Sequence, residues 1–484
     1  MYNITRNTKI VCTIGPASDN KETLKKLIKA GMSVMRINFS HGDYVEHQKK
    51  IDLIRKIEKE ENICVPIMLD TKGPEIRTGK FVNGLATIKD KSIVRILMKE
   101  CLGDETKFSV TFTDLYDDVE IGNIIKLDDG KLELKVIDKD QEKRELITQA
   151  LNTHTIKDKR GVNIPGVHLS LPFISEKDKN DLIFGCKNNV DYISASFIRS
   201  PEDIKAIRKI LKDNGKENIK IISKIENQEA LTCLDEIVKE SDGIMVARGD
   251  LGVEVQAEDV PIIQIDLIKK CRNLGKPVIT ATQMLDSMIS NPNPTRAEVS
   301  DVATAVSESS DAVMLSGESA NGLYPVEACS MQAKIAHKME KYLDYEKLAQ
   351  EAYDTSNKDN NDAIANSIAN TALLIGAKLI VCFTETGRTA FRISKARPCC
   401  PIIAVTNNKN TAENLGVYWG VFASYIPTKI MPDFIEEMEV IALSNAMKYG
   451  LKAGSTIIVA GGTPTGSGNT NFMRIVYVPE LKDI

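Results

Sequence analysis

Short apolar runs, each ending in a polar or Gly-rich cluster, recur through the first 320 residues: TKIVCTIG, SVMRINFSHG, VPIMLDTKG, VDYISASFI, IKIISKIEN, DGIMVARGD, KPVITATQM and DAVMLSGES. Each has strand length, and helix-like sequence follows most of them. After the first run, Asp19 can cap a helix carrying Leu24, Leu27 and Ile28 that stops at Gly31. Runs apolar on both faces suit a parallel sheet covered by helices. Eight of them with helical spacers predict a (β/α)8 TIM barrel, with an open doubly wound sheet as the structural alternative.

One interval breaks this rhythm. From residue 74 to 170 the pattern changes to short alternating runs such as SIVRILM and NIIKLDDGKLELKVID, with DDG and IPG turn signals. The alternation predicts a small β-barrel lid domain inserted between the third and fourth barrel strands. The barrel domain then occupies 1–73 and 171–342. A third pattern starts near residue 343, where a polar helical stretch leads into KLIVCF, PIIAVT, GVFASYI and STIIVAGG. That predicts a C-terminal α/β domain over 343–484.

Composition narrows the function classes. The 484 residues carry 63 Lys plus Arg against 67 Asp plus Glu, and the net charge of -4 speaks against a nucleic-acid binder working through a broad basic field. The ten cysteines form no CxxC pair, so reduced, partly buried thiols are expected. No signal-peptide pattern opens the chain and no apolar stretch has membrane-spanning length, so a cytoplasmic protein is expected.

Strand side chains alternate faces, so polar residues two apart share one side. Arg36, Asn38 and Ser40 show this parity at a predicted strand end. So do the pairs Asp70 and Lys72, Lys224 and Glu226, Arg248 and Asp250, Thr280 and Thr282, and Ser316 and Glu318. Ile37, Ile225 and Ala281 should then face the helices. Polar residues often end strands for structural reasons, yet six aligned cases at the C-terminal ends coincide with the face where barrels build their sites. Glu226 and Asp250 offer hard oxygens to Mg²⁺ or Mn²⁺. Arg36, Arg77 and Lys224 can neutralise phosphate or carboxylate. Together they point to metal-assisted phosphoryl transfer or enolate chemistry. His41, His47, His154, His168 and His337 have no ligand spacing, and only His41 sits at a strand end. No GxSxG elbow or P-loop occurs, and the GTPTGSGNTN stretch at 462–471 reads as a turn or an anion-binding nest.

The strings MRINFSHG, LDTKGPEIRTG, ISKIEN, MVARGDLGVE, TATQMLDSM, NPTRAEVSDVATAV and MLSGESA follow in one order, and as a set they resemble the pyruvate kinase family essentially end to end. The resemblance implies a barrel, a lid and a C-terminal effector domain, usually in a homotetramer. It also implies phosphoryl transfer from phosphoenolpyruvate to ADP, giving pyruvate and ATP. Glu226 and Asp250 would bind Mg²⁺, Lys224 would stabilise the transferring group and the enolate, and Arg36 would hold the phosphate. Gly249, Asp250 and Thr282 would meet the substrate, with Thr282 near the carbon to be protonated. Asn38, His41, Arg77 and Arg160 would serve the nucleotide. Asn38, Ser40, Asp70 and Thr71 match the family's K⁺ site, and Glu75 is the residue that accompanies potassium dependence there. Thr384, Thr386, Gly387, Arg388 and Thr389 match a loop that grips a phosphorylated effector. Departures limit the transfer: Arg160 stands where Lys is common, Asp286 and Ser319 where Glu and Thr are common. Glu385 occupies a position held by Lys in a fructose 1,6-bisphosphate-sensitive form. The competing reading is a metal-dependent lyase of the phosphoenolpyruvate/pyruvate barrel group; a non-catalytic paralogue has no support, since every expected catalytic position is filled.

Overall fold

The computed structural model describes residues 4, 6–464 and 470–480. All eight apolar runs become barrel strands: Lys9–Thr13, Val34–Asn38, Ile67–Asp70, Tyr192–Ala195, Lys220–Ile225, Gly243–Ala247, Val278–Ala281 and Ala312–Leu315. They pair in parallel, each with its sequence neighbour, and the last pairs with the first to close the ring. Alternation divides their apolar side chains into two layers. Val11, Val34, Met68, Tyr192, Ile222, Met245, Ile279 and Met314 form the barrel interior. Cys12, Met35, Ile37, Leu69, Ile193, Ile225 and Val246 pack outward beneath the helices.

The first helix, Lys21–Ala30, shows how local chemistry sets the spacers. Its cap is Asn20, whose Oδ1 accepts the Thr23 N–H, rather than the expected Asp19 one residue earlier. Leu24 and Leu27 supply its buried face. It ends at Gly31, whose φ of 127° disfavours a side chain.

Between the third and fourth barrel strands lies a seven-stranded sheet running from Ile76–Arg77 to Gly161–Asn163, with a two-stranded ribbon formed by Leu85–Ile88 and His154–Lys157. The alternating runs do alternate in burial, and they enclose an apolar cluster of their own built on Phe81, Ile96, Phe108, Leu127 and Leu134. Its central hairpin joins Ile124–Leu127 to Leu132–Asp140. Asp128, Asp129 and Gly130 all take positive φ in that turn, as the DDG signal anticipates.

The C-terminal sheet has the order Val421–Tyr425, Ile402–Thr406, Leu379–Phe383, Thr456–Gly461, Phe472–Tyr477. The first four strands match the apolar runs. The fifth, an antiparallel edge, is mostly exposed, and the sequence reading did not mark it although FMRIVY is as apolar as the other runs. Among the described residues no helix is long and apolar enough to cross a membrane.

Candidate active site

At the C-terminal mouth of the barrel a chain of ion pairs links three strands. Arg36, inward on the second strand, places Nε 2.9 Å from Asp70 Oδ2 and donates from Nη1 to Thr13 Oγ1 at 2.7 Å. Asp70 ends the third strand, and its other oxygen lies 3.4 Å from Lys224 Nζ on the fifth. The same ammonium is 2.9 Å from Glu226 Oε1. All four groups are buried. Burial alone would raise the Asp70 carboxyl, but Arg36 and Lys224 outweigh it and hold it below the ordinary range. Burial alone would lower Lys224, but Asp70 and Glu226 outweigh it and raise the ammonium's pKa. Lys224 is therefore a fixed positive charge.

Glu226 and Asp250 behave differently. Burial pushes the Glu226 carboxyl up to about 7; Lys224 opposes the shift and Asp250 adds to it. Asp250 is also raised, by burial and then by Asp129 and Glu75, against Lys224. The Phe197 N–H donates to Glu226 Oε2 at 2.6 Å, whereas among the described residues buried Oε1 meets no backbone N–H and only the Lys224 ammonium, at 2.9 Å. A buried carboxylate oxygen with a single ammonium partner, beside a second carboxylate, has lone pairs left for a hard divalent cation. The residues present fit such an ion.

Two of the six parity pairs carry over as expected: Arg36 with Asn38, and Lys224 with Glu226, while Ile37 and Ile225 face the helices. Three do not. The sixth strand ends at Ala247, and Arg248–Glu254 is helical, so Arg248 and Asp250 diverge. Arg248 turns away to Asp301, at 2.6 Å through both guanidinium ends, and also donates to Thr282 O. Ser316 likewise precedes a helical turn, where Glu318 is buried and accepts the Leu285 and Ser316 N–H groups. On the seventh strand Ala281 is interior and not helix-facing, while Thr280 pairs with Ser310. Thr282 reaches the mouth because its backbone turns to φ 68°, and its Oγ1 accepts the Gly249 N–H at 2.8 Å. Lys72 lies past the end of its strand.

Asn38 is in register with Asp70 across the second and third strands. Ser40 donates its N–H to Asn38 Oδ1, and Thr71 follows Asp70, so these four form one oxygen-rich corner. A cleft of about 530 Å³ opens from the mouth toward the inserted sheet, lined by His41, Glu75, Arg77, Arg160 and Asp250 among others. Arg77 pairs with Glu75 at 2.6 Å, and Arg160 Nε is 3.6 Å from Asp128. His47 instead stacks on Phe39, and His154 and His168 bind Asp128 and Glu229.

Sequence reasoning passed over Ser196. It accepts from Lys224 Nζ at 2.8 Å and donates to Thr71 O at 2.7 Å. The same parity would have found it, because Ser194 and Ser196 are two apart in ISASFI.

The predicted effector loop belongs to the other sheet. Thr384 Oγ1 accepts the Gly387 N–H, Gly387 has φ 82°, and Thr389 meets Thr470 at 2.6 Å. Thr386 and Arg388 are exposed, as is Glu385. Half of the glycine-rich stretch predicted as a turn or nest, residues 465–469, lies outside the described residues.

Fold and mouth together define a (β/α)8-barrel enzyme with carboxylates and cations gathered at the C-terminal mouth. Residues 5–329 match the family model "Pyruvate kinase, barrel domain", and 362–476 match "Pyruvate kinase, alpha/beta domain". The chain is 49% identical to the pyruvate kinase of Staphylococcus haemolyticus over 98% of its own length and 80% of the relative's. With that of Geobacillus stearothermophilus it shares 47%, covering 98% and 81%. It superposes on a pyruvate kinase crystal structure from Cryptosporidium parvum with a TM-score of 0.91 and 40% identity, covering 98% and 97%. The chain belongs to the pyruvate kinase family.

Proposed function

We propose that the mouth formed by Arg36, Asp70, Lys224, Glu226, Asp250 and Thr282 is where this enzyme moves a phosphoryl group. The reaction is that of pyruvate kinase: a terminal phosphate oxygen of ADP attacks the phosphorus of phosphoenolpyruvate, the enol C–O–P linkage breaks at phosphorus, and the enolate takes a proton at carbon to become pyruvate. The observation that supports this division of labour best is the buried chain Arg36–Asp70–Lys224–Glu226, with fixed cations at two of its positions and a carboxylate oxygen at its end that meets only the Lys224 ammonium.

Arg36 holds the phosphate of phosphoenolpyruvate, its guanidinium oriented by Asp70 and Thr13. Lys224 meets the charge that develops on the transferring group and on the enolate oxygen, and burial keeps that interaction strong. The Gly249 N–H and Thr282 Oγ1 face each other and receive the carboxylate end. Thr282 orders the water that delivers the proton. Asn38, His41, Arg77 and Arg160 take the nucleotide, the last three from the cleft wall. Glu226 and Asp250 would hold Mg²⁺ or Mn²⁺, which supplies charge neutralisation at the phosphoryl oxygens. Asn38, Ser40, Asp70 and Thr71 would hold K⁺, an all-oxygen set suited to a hard cation.

The test is ATP formation from phosphoenolpyruvate and ADP, with each ion omitted in turn. Loss of turnover without a divalent ion and strong activation by K⁺ are expected; full activity without any monovalent ion would remove the K⁺ assignment. Failure to form ATP, with carbon–carbon cleavage instead, would favour the lyase reading. The loop Thr384–Thr389 is assigned to a phosphorylated effector other than fructose 1,6-bisphosphate, because the exposed Glu385 carboxylate repels a second phosphate. We assign the inserted sheet (74–170) the role of lid, the barrel 1–73 and 171–342, and 343–484 the effector-binding domain, with a cytoplasmic homotetramer as the working assembly. Light scattering checks the last.

A further inference from the structure

We infer that Ser196 is a positioning residue for phosphoryl transfer, holding the Lys224 ammonium in the one direction that serves the reacting group. The inference rests on the reading of the barrel mouth as the phosphoryl-transfer centre.

An ammonium has three N–H donors and no intrinsic direction. Two neighbours of Lys224 are carboxylates: Asp70 at 3.4 Å and Glu226 at 2.9 Å. They attract it from the third strand and from the end of its own strand, and a point charge between two anions can slide toward either. Its third neighbour, Ser196 Oγ at 2.8 Å, is neutral. A neutral acceptor fixes direction without cancelling the charge the reaction needs.

The hydroxyl is itself locked. Its proton is committed to Thr71 O at 2.7 Å, so the oxygen can turn only a lone pair toward Lys224. The Ser196 N–H donates to Thr71 Oγ1 at 3.1 Å, which ties the two residues at two points. One residue on, the Phe197 N–H donates to Glu226 Oε2 at 2.6 Å, and Phe197 adopts φ 54°, a costly backbone state for an aromatic residue. Ser196 and Phe197 thus hold the fifth strand's lysine and carboxylate from the fourth, and anchor both to the third.

The packing leaves no slack. A Cβ on Gly73 would lie 2.9 Å from Ser196 O and 3.0 Å from Ser196 Cβ, and Gly73 has φ 71°. Ser196 is 2% exposed, so no water replaces its oxygen without rearrangement. The same crowding makes Cys, rather than the larger Thr, the replacement that keeps shape while weakening the acceptor.

The experiment compares unaltered protein, Ser196→Ala and Ser196→Cys in the phosphoenolpyruvate-plus-ADP assay, with thermal melting of each. The expected result is a fall in kcat of about 10- to 100-fold for Ala, the range set by one charge-assisted hydrogen bond. Cys should fall between Ala and Ser. KM for both substrates should stay within about threefold and melting should hardly move, because the residue acts through Lys224 and touches neither substrate. An Ala variant with undiminished kcat overturns the inference. So does a kcat loss in Ala and Cys matched by loss of thermal stability and a rise in KM, which marks a merely structural serine. The unaltered protein is assayed first: its failure to form ATP would overturn the functional reading itself, separately from the role of Ser196.

Discussion

Two places in this molecule gather three carboxylates around cations, and they have different uses. At the barrel mouth Asp70, Glu226 and Asp250 surround Arg36 and Lys224. Where the barrel meets the C-terminal sheet, Glu58, Asp191 and Glu413 surround Arg55, at 3.0, 3.2 and 3.4 Å. Cavity size does not separate them, since a cleft of about 600 Å³ lies beside Arg55 and one of about 530 Å³ at the mouth. Nor does ligand geometry, because Glu58, Cys64 and Glu413 bring donor atoms within 4.8 Å of one another. Satisfaction of the oxygens separates them. At the junction backbone N–H groups cap the acids: Val65 donates to Glu58 at 2.6 Å and Ile67 to Asp191 at 2.7 Å. At the mouth, among the described residues, Glu226 Oε1 has no backbone cap and meets only the Lys224 ammonium. A satisfied cluster fastens two parts together, whereas one with an open valence awaits a ligand.

The sharpest break of this comparison is a pair of cation deletions. Lys224→Met should lower kcat by about a thousandfold or more, with a smaller loss of stability than at Arg55, because Asp70 keeps Arg36 and the Glu226 carboxyl, already near 7, can take up a proton. Arg55→Met should do the reverse, costing about 3 kcal/mol in denaturant unfolding because it strands buried carboxylates, with kcat of the folded fraction retained. Equal effects on both measurements would erase the distinction.

Next in size, Glu226→Gln should abolish tight divalent binding in calorimetry, while Glu58→Gln should leave it intact. The third test is pH. Glu226, held near 7 by burial, binds protons more readily folded than unfolded, where an ordinary Glu titrates near 4.5. Its contribution to the stability of the metal-free protein is therefore full below about 4.5 and lost as pH rises through about 7. Saturating Mg²⁺ should offset that loss, and Glu226→Gln should flatten this part of the curve. Smallest is the effector loop: fructose 1,6-bisphosphate should leave the half-saturating phosphoenolpyruvate concentration unchanged, and Glu385→Lys should introduce a shift of about threefold, as one exposed charge allows.

The parity rule read the mouth correctly while the chain stayed extended, as at Arg36 and Lys224. It failed where the strand had already ended. Arg248 and Asp250 sit in a helical turn, where residues two apart point in opposite directions. Thr282 depends on a left-handed backbone that a β-branched residue rarely adopts, so no pattern of residue types announces it. Ser196 was legible by the same parity, yet serine at a strand end has many dull explanations. The Arg55 junction was not legible at all, because its acids come from residues 58, 191 and 413.

By itself the sequence determined the eight strands, the interruption after the third, and the ordered motifs that carry the family, since apolar periodicity and short motifs are local properties of the chain. Only the tertiary structure decided which carboxylate oxygen goes without a backbone cap, which cations share Asp70, and which side chain aims Lys224. Those depend on burial and on distances between strands far apart in sequence, and both arise only when the barrel closes.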